Sequence, residues 1–165
     1  MQLAAERDGI AAEYAKNFQL VSMAALAWVK KFLHDFHQES EEFASEQDVP
    51  MTAWEYATIG LQLSLLTVQS DTLIRRKCGD ALFHEAACRA DYVLKCGAFH
   101  VAEGRRALND LDRWLRADGH RRNPGTTADL IAAIWFIAIR DRFVLLPTKN
   151  EILEHAAQIQ RQNRL

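Results

Sequence analysis

Two short polar segments of this 165-residue chain carry side chains that could bind an anion or a metal ion. The first is the stretch 121–129, which enters ten apolar residues, 130–139, without a break. Its Pro124 fixes one backbone angle and its Gly125 permits an unusual one, which predicts a turn at the start of a helix. Backbone N–H groups at the positive end of such a helix, with two arginines beside them, are suited to phosphate.

This turn has two interpretations. In the functional one it binds an anion, and the carboxylate of Asp129 binds a metal or accepts a proton from a substrate hydroxyl. In the structural one it only caps a core helix, because Thr126 and Asp129 have the spacing of a capping box. The residues of the turn leave both interpretations open.

Asp71 opens the second segment, at a break between two predicted helices. A carboxylate there, next to Thr72 and followed by Arg75, Arg76 and Lys77, could hold a magnesium ion while the cations bind phosphates. The alternative is that Asp71 is an N-cap and the three cations form a solvated face, and the local sequence favours it because aspartate is a preferred cap.

Charge and composition limit the partners. The net charge of -2 and the pI near 6.3 give no global basic field for nucleic acid or an acidic membrane, so anion binding must be local. The three cysteines are an odd number without metal-motif spacing, which fits free thiols in a reducing compartment. With no signal segment or transmembrane run, we expect a cytoplasmic protein.

Helices are expected to position both segments. Helical spacing of apolar residues covers 3–38, as one bent helix or two, and 54–68, 81–97, 102–118 and 152–161. Stretch 130–139 is apolar on every face and should be enclosed by other helices. Capping boxes are predicted at Thr52–Glu55 and Thr148–Glu151. The expected fold is one all-α domain over 1–165, with six or seven helices packed around 54–68 and 130–139.

The two segments together resemble the C-terminal half of the triphosphoribosyl-dephospho-CoA synthase family. The family's signature is a Ser/Asn-Pro-Gly-Gly/Thr-Ser/Thr-Ala-Asp-Leu turn that enters an apolar helix. The matching residues here are Asp71-Thr72, Arg76-Lys77 with Gly79, and Asn123-Pro124-Gly125-Thr126-Thr127-Ala128-Asp129-Leu130. The N-terminal stretch 6–11, with Tyr14 and Phe18, is more similar to a branch associated with one-carbon metabolism than to the enzymes of citrate and malonate lyase systems.

The resemblance implies an all-α fold and an unusual use of ATP. The family joins the ribose of ATP to 3'-dephospho-CoA, expels adenine and keeps the triphosphate, which makes a prosthetic-group precursor. ATP is then a substrate, and Mg²⁺ is required on its triphosphate. The roles that follow are metal ligand or base for Asp71 and Asp129, phosphate neutralisation for Arg76 and Lys77, and the phosphate turn for Asn123, Gly125, Thr126 and Thr127.

The resemblance also implies that the site is shared. The Pro- and Gly-containing motif of the family's N-terminal half has no counterpart in this sequence. We therefore expect a nucleotide or CoA-like small molecule as ligand, and a complementary subunit, a missing N-terminal half or a homo-oligomer as partner. The rival hypothesis is a non-catalytic helical protein that binds a nucleotide-like ligand or a protein partner.

Overall fold

The computed structural model describes residues 7–39, 51–145, 149, 150 and 153. Within these residues it contains no strand and seven helices, which are α1 Gly9–Ala15, α2 Gln19–Glu39, α3 Ala53–Gln69, α4 Thr72–Cys78, α5 Asp80–Lys95, α6 Ala102–Arg116 and α7 Gly125–Arg140. The predicted all-α bundle is confirmed. None of the described helices is both long and apolar enough to cross a membrane.

The N-terminal helical pattern is split into α1 and α2. Asn17 and Phe18 have φ of 53° and 56°, a left-handed backbone that cannot continue a helix. The buried carboxylate of Glu13 bridges this break, because its Oε2 accepts the Val21 N–H at 3.1 Å. The two-helix alternative is therefore the correct one.

Sequence signals fix the start of α3. Thr52 Oγ1 accepts the Glu55 N–H at 3.2 Å, and Glu55 Oε2 accepts the Thr52 N–H at 2.8 Å. This reciprocal pair is the predicted capping box, which satisfies two of the N–H groups that a helix start leaves open. The predicted box at Thr148–Glu151 and the helix predicted over 152–161 fall mainly outside the described residues.

Helix α3 is the centre of the bundle. Its Leu61 and Leu65 pack into a cluster with α2 and α7, whereas its Leu63 and Leu66 pack into a second cluster with α5 and α6. All four leucines are at most 1% exposed. The predicted packing around 54–68 is confirmed, since α3 supplies apolar side chains to both halves of the core.

Complete enclosure of 130–139 was a wrong prediction. Leu130, Ile134 and Ala138 of α7 are buried, but Ala132 is exposed and Phe136 is 64% exposed. The described neighbours of α7 are α1, α2, α3 and α4, which pack against one side of it and leave the other open. Helix α7 therefore has apolar residues on every face and yet lies at the edge of the core.

Close packing at the start of α6 depends on a glycine. A Cβ atom built on Gly104 would lie 2.5 Å from both the backbone N and the backbone O of Ala98. Such contacts are far inside van der Waals distance, and a backbone cannot move aside as a flexible side chain can.

Gly104→Ala should therefore destabilise the protein by about 1–3 kcal/mol, the usual cost of overpacking, although alanine favours helices. Urea denaturation checks this. Asn109→Ala is the matched control, because it places alanine at an exposed position of the same helix and should leave the free energy of unfolding unchanged or raise it. Equal stability of the two variants would contradict the close contact.

Candidate functional site

One buried carboxylate joins the starts of α4 and α7. Asp71 Oδ1 accepts the N–H groups of Leu73 at 2.9 Å and Ile74 at 3.1 Å, while Oδ2 accepts the Thr127 N–H at 2.7 Å. The side chain is fully buried. Asp71 is thus the N-cap of α4, as its structural interpretation predicted, and it also satisfies the first turn of a helix that begins more than 50 residues later.

The start of α1 meets the same point. Thr72 Oγ1 accepts the Gly9 N–H at 3.1 Å and lies 3.1 Å from Thr126 Oγ1. Glycine permits this approach, since a Cβ on Gly9 would lie 3.0 Å from Thr126 Cγ2, and one on Gly125 would lie 2.6 Å from Leu73 Cδ2. Three helix starts therefore interlock around Asp71 and two threonine hydroxyls.

The capping box predicted within the turn is absent. Helix α7 starts after Pro124 without a side-chain cap of its own. The Thr126 hydroxyl contacts Thr72 instead, and the Asp71 carboxylate has taken the Thr127 amide that a local cap would serve. The box cannot form because α7 already begins at Gly125, which places Thr126 inside the first turn and not at the N-cap position.

The predicted phosphate turn is therefore divided between the interior and the surface. Thr126 and Thr127 are 7% and 1% exposed, and Gly125 is half-buried. Asn123 and Asp129 are exposed. Thr127 Oγ1 is buried without a hydrogen-bond partner among the described residues. Among the predicted site residues of the signature, Asn123 and Asp129 are thus the ones most open to a ligand.

Exposed cations lie beside the interlocked helix starts. Arg76 Nη1 is 3.6 Å from Asp8 Oδ2 at the start of α1, and Lys77 is exposed. The loop before α7 docks here, because Arg121 Nη2 donates to the Lys77 carbonyl at 3.0 Å. We call Arg76, Lys77 and Arg121 the basic edge. Two of these three were predicted site residues, and Arg121 was noted as a neighbour of the turn.

A cleft of about 220 Å³ lies on another side of the same loop, between α3 and α6. Its lining includes Gln62, Asp112, Arg116, His120 and Asn123. Sequence reasoning found only Asn123 among these polar residues. The other four residues come from three separate elements. The sequence signal for any of them is the i,i+4 spacing of Asp112 and Arg116, which is common on exposed helices and does not predict a binding site.

Charge in the cleft is balanced. Arg116 Nε donates to both carboxylate oxygens of Asp112, at 2.9 and 2.8 Å, and this bond with the carboxylate charge raises the pKa of Arg116. The loop beside them contains three consecutive left-handed residues, Asp118, Gly119 and His120, with φ of 60°, 61° and 63°.

The described residues do not fit a resident metal ion. They contain no group of three or more His, Cys, Asp or Glu side chains arranged to hold one. A carboxylate has about four acceptor positions, and three on Asp71 are filled by backbone amides.

Comparison with known proteins identifies the family. The model of the ATP:dephospho-CoA triphosphoribosyl transferase family matches residues 1–145. The chain therefore belongs to this family, as its signature turn predicted.

A curated relative supports the same assignment. The protein named "Probable 2-(5''-triphosphoribosyl)-3'-dephosphocoenzyme-A synthase" of Pseudomonas savastanoi pv. phaseolicola (strain 1448A / Race 6) is 38% identical over 81 residues. The match covers 49% of this chain and 27% of the relative, so it spans about a quarter of the relative's length. No solved structure matches the chain. The resemblance to the one-carbon branch stays a prediction.

Replacing Asp71 should be much more damaging than replacing an ordinary cap. Asp71→Ala leaves three N–H groups without their acceptor at a buried site and should cost about 3 kcal/mol or more. Asp8→Ala is the matched control, because half-exposed Asp8 caps α1 through two N–H groups and its loss should cost about 1 kcal/mol.

Asp71→Asn adds a more specific test of the shared carboxylate. Asparagine has one acceptor oxygen, so its NH₂ group must face an N–H of either α4 or α7. We expect a stability closer to Asp71→Ala than to the wild type in chemical denaturation. A near-wild-type Asn variant would show that one of the two helices does not depend on this carboxylate.

Proposed function

We propose that the chain forms part of an ATP-dependent triphosphoribosyl transferase with a dephospho-CoA-like acceptor, in the biosynthesis of a coenzyme or prosthetic group. Family membership over 1–145 supports this activity. The structural observation that carries it is the exposure of Asn123, just before α7, and of Asp129, in the first turns of α7. The loop that contains Asn123 also contributes to the basic edge and to the cleft.

The reaction sets three chemical requirements. A bond forms between the acceptor hydroxyl oxygen and C1' of the ribose, and the bond from C1' to adenine breaks while the triphosphate remains on the sugar. The hydroxyl must lose its proton, the departing adenine must gain one, and the oxocarbenium-like sugar must be stabilised between them. No redox partner is needed.

The exposed residues suit one of these requirements and also the binding of the triphosphate. Asp129 is an open carboxylate on α7 and is our candidate for the base that takes the hydroxyl proton. The basic edge of Arg76, Lys77 and Arg121 offers positive charge for the triphosphate. Asp71 is assigned a positioning role, since its oxygens already bind the amides that hold the turn in place.

We further propose that another polypeptide segment completes the site, either a complementary subunit, an N-terminal half or a second copy. The curated match spans only 27% of the relative, so most of that enzyme has no counterpart in the match. The unmatched length of that relative favours a site to which these helices contribute one part.

One observation favours the rival, a non-catalytic helical protein that binds a nucleotide-like ligand or a protein partner. The start of α7 is closed by packing, because Thr126 and Thr127 are buried and the Thr127 amide is bonded to Asp71. A phosphate therefore cannot bind to that amide as it does in an open helix-start site.

Adenine release from Mg-ATP in the presence of dephospho-CoA, followed by chromatography, tests the activity. The chain should be mixed with the N-terminal portion of the relative. We expect release that Asp129→Asn reduces by at least about tenfold, since general-base catalysis contributes about 10²–10⁴-fold. Glu103→Gln, which neutralises an exposed carboxylate near the start of α6, should retain the rate.

Two outcomes would change the proposal. If Asp129→Asn and Glu103→Gln released adenine equally well, Asp129 would not be the base. If no adenine appeared with the N-terminal portion added, the non-catalytic alternative would be preferred.

A further inference from the structure

The charge of the cleft between α3, α6 and the start of α7 argues against a phosphate. Its lining has one anion and one cation, Asp112 and Arg116, and these bind each other through two hydrogen bonds. A triphosphate entering here would meet a guanidinium that is already paired and a carboxylate that repels it. An uncharged ligand need not compete for the guanidinium and is not repelled by the carboxylate.

The walls of the cleft are apolar where they are most buried. Leu115 is 6% exposed and Pro124 is buried, while Ala128 contributes a methyl group from α7. At about 220 Å³ the cleft is below the range of about 300–1,000 Å³ usual for sites that enclose drug-sized ligands. It therefore has room for a heterocyclic ring system and not for a whole nucleotide.

Amide side chains supply the specificity. Half-buried Gln62 of α3 and exposed Asn123 of the loop both line the cleft. Each amide has a donor and an acceptor, and this pair of groups matches the N6–H donor and N7 acceptor of adenine. His120 adds a ring nitrogen to the same lining.

We propose that this cleft binds the adenine ring of the nucleotide substrate. That the ring belongs to ATP rests on the proposed function. That the ligand is an uncharged heterocycle bound by amide side chains rests on the cleft itself. The loop then separates two tasks, since Asn123 lines the base site and Arg121, two residues earlier, is directed to the carbonyl of Lys77 on the basic edge.

The geometry offers a matched pair of blocking variants. Ala128 lines the cleft from the first turns of α7, and Ala132, one turn further along, is also exposed but does not line it. Ala128→Phe should fill the cleft, and Ala132→Phe adds the same side chain beside it. Because both positions are exposed, neither substitution requires the core to rearrange.

Isothermal titration with adenine, AMP and inorganic tripolyphosphate tests the proposal. Adenine and AMP should bind to the wild type and to Ala132→Phe with similar affinity, and at least about tenfold more weakly to Ala128→Phe. Gln62→Leu, which keeps the volume but removes the amide, should also weaken adenine by about tenfold. Tripolyphosphate affinity should be the same in all four proteins.

Equal adenine affinity for the two phenylalanine variants would overturn the proposal, as would a wild type that binds neither adenine nor AMP. A loss of tripolyphosphate binding in Ala128→Phe would make the cleft a phosphate site instead. These results are separable from the transferase assay. If Ala128→Phe left adenine release unchanged, the proposed activity would stand and the adenine subsite would be rejected. If Ala128→Phe blocked adenine binding but no protein released adenine from ATP, the subsite would stand and the proposed activity would be rejected.

Discussion

The carboxylate of Asp71 is the interaction on which the arrangement of the described helices depends. A fully buried charge is costly unless hydrogen bonds and opposite charge compensate it. Here three backbone N–H groups and the positive ends of α4 and α7 provide that compensation. Because the same carboxylate serves both helices, their starts are held together, and the loop that leads into α7 begins from a fixed point.

The loop before α7 is held from both sides. Arg121 donates to the Lys77 carbonyl at the end of α4, and Arg122 Nη1 donates to the Trp114 carbonyl of α6 at 3.1 Å. The Trp114 ring is also contacted by two guanidinium groups, from Arg89 at 4.9 Å and Arg122 at 4.7 Å. Such contacts fix a segment with three successive left-handed residues, a conformation that would otherwise be unfavourable for Asp118 and His120.

Sequence signals predicted the features that depend on residues close together in the chain. The α3 start at Thr52, the helical periods and the turn at Pro124 each involve neighbours in the chain, so spacing alone identified them. The cap of α7 could not be found in this way, because its acceptor, Asp71, lies 56 residues before the amide it binds. The cleft could not be predicted for the same reason, since Gln62 and Arg116 line one cleft only once the chain has folded.

The two aspartates of the family resemblance have opposite environments, and this separates their roles. For Asp71 to coordinate a metal or accept a proton, it would have to release amides of α4 and α7 that it now binds, at a site with no exposure to solvent. Exposed Asp129 carries no such cost. We therefore infer that Asp71 orders the signature turn and that any acid–base chemistry contributed by this turn belongs to Asp129, with the charge for phosphate on the basic edge. The two carboxylates look equivalent in the sequence, whereas their burial and hydrogen bonds in the fold distinguish them.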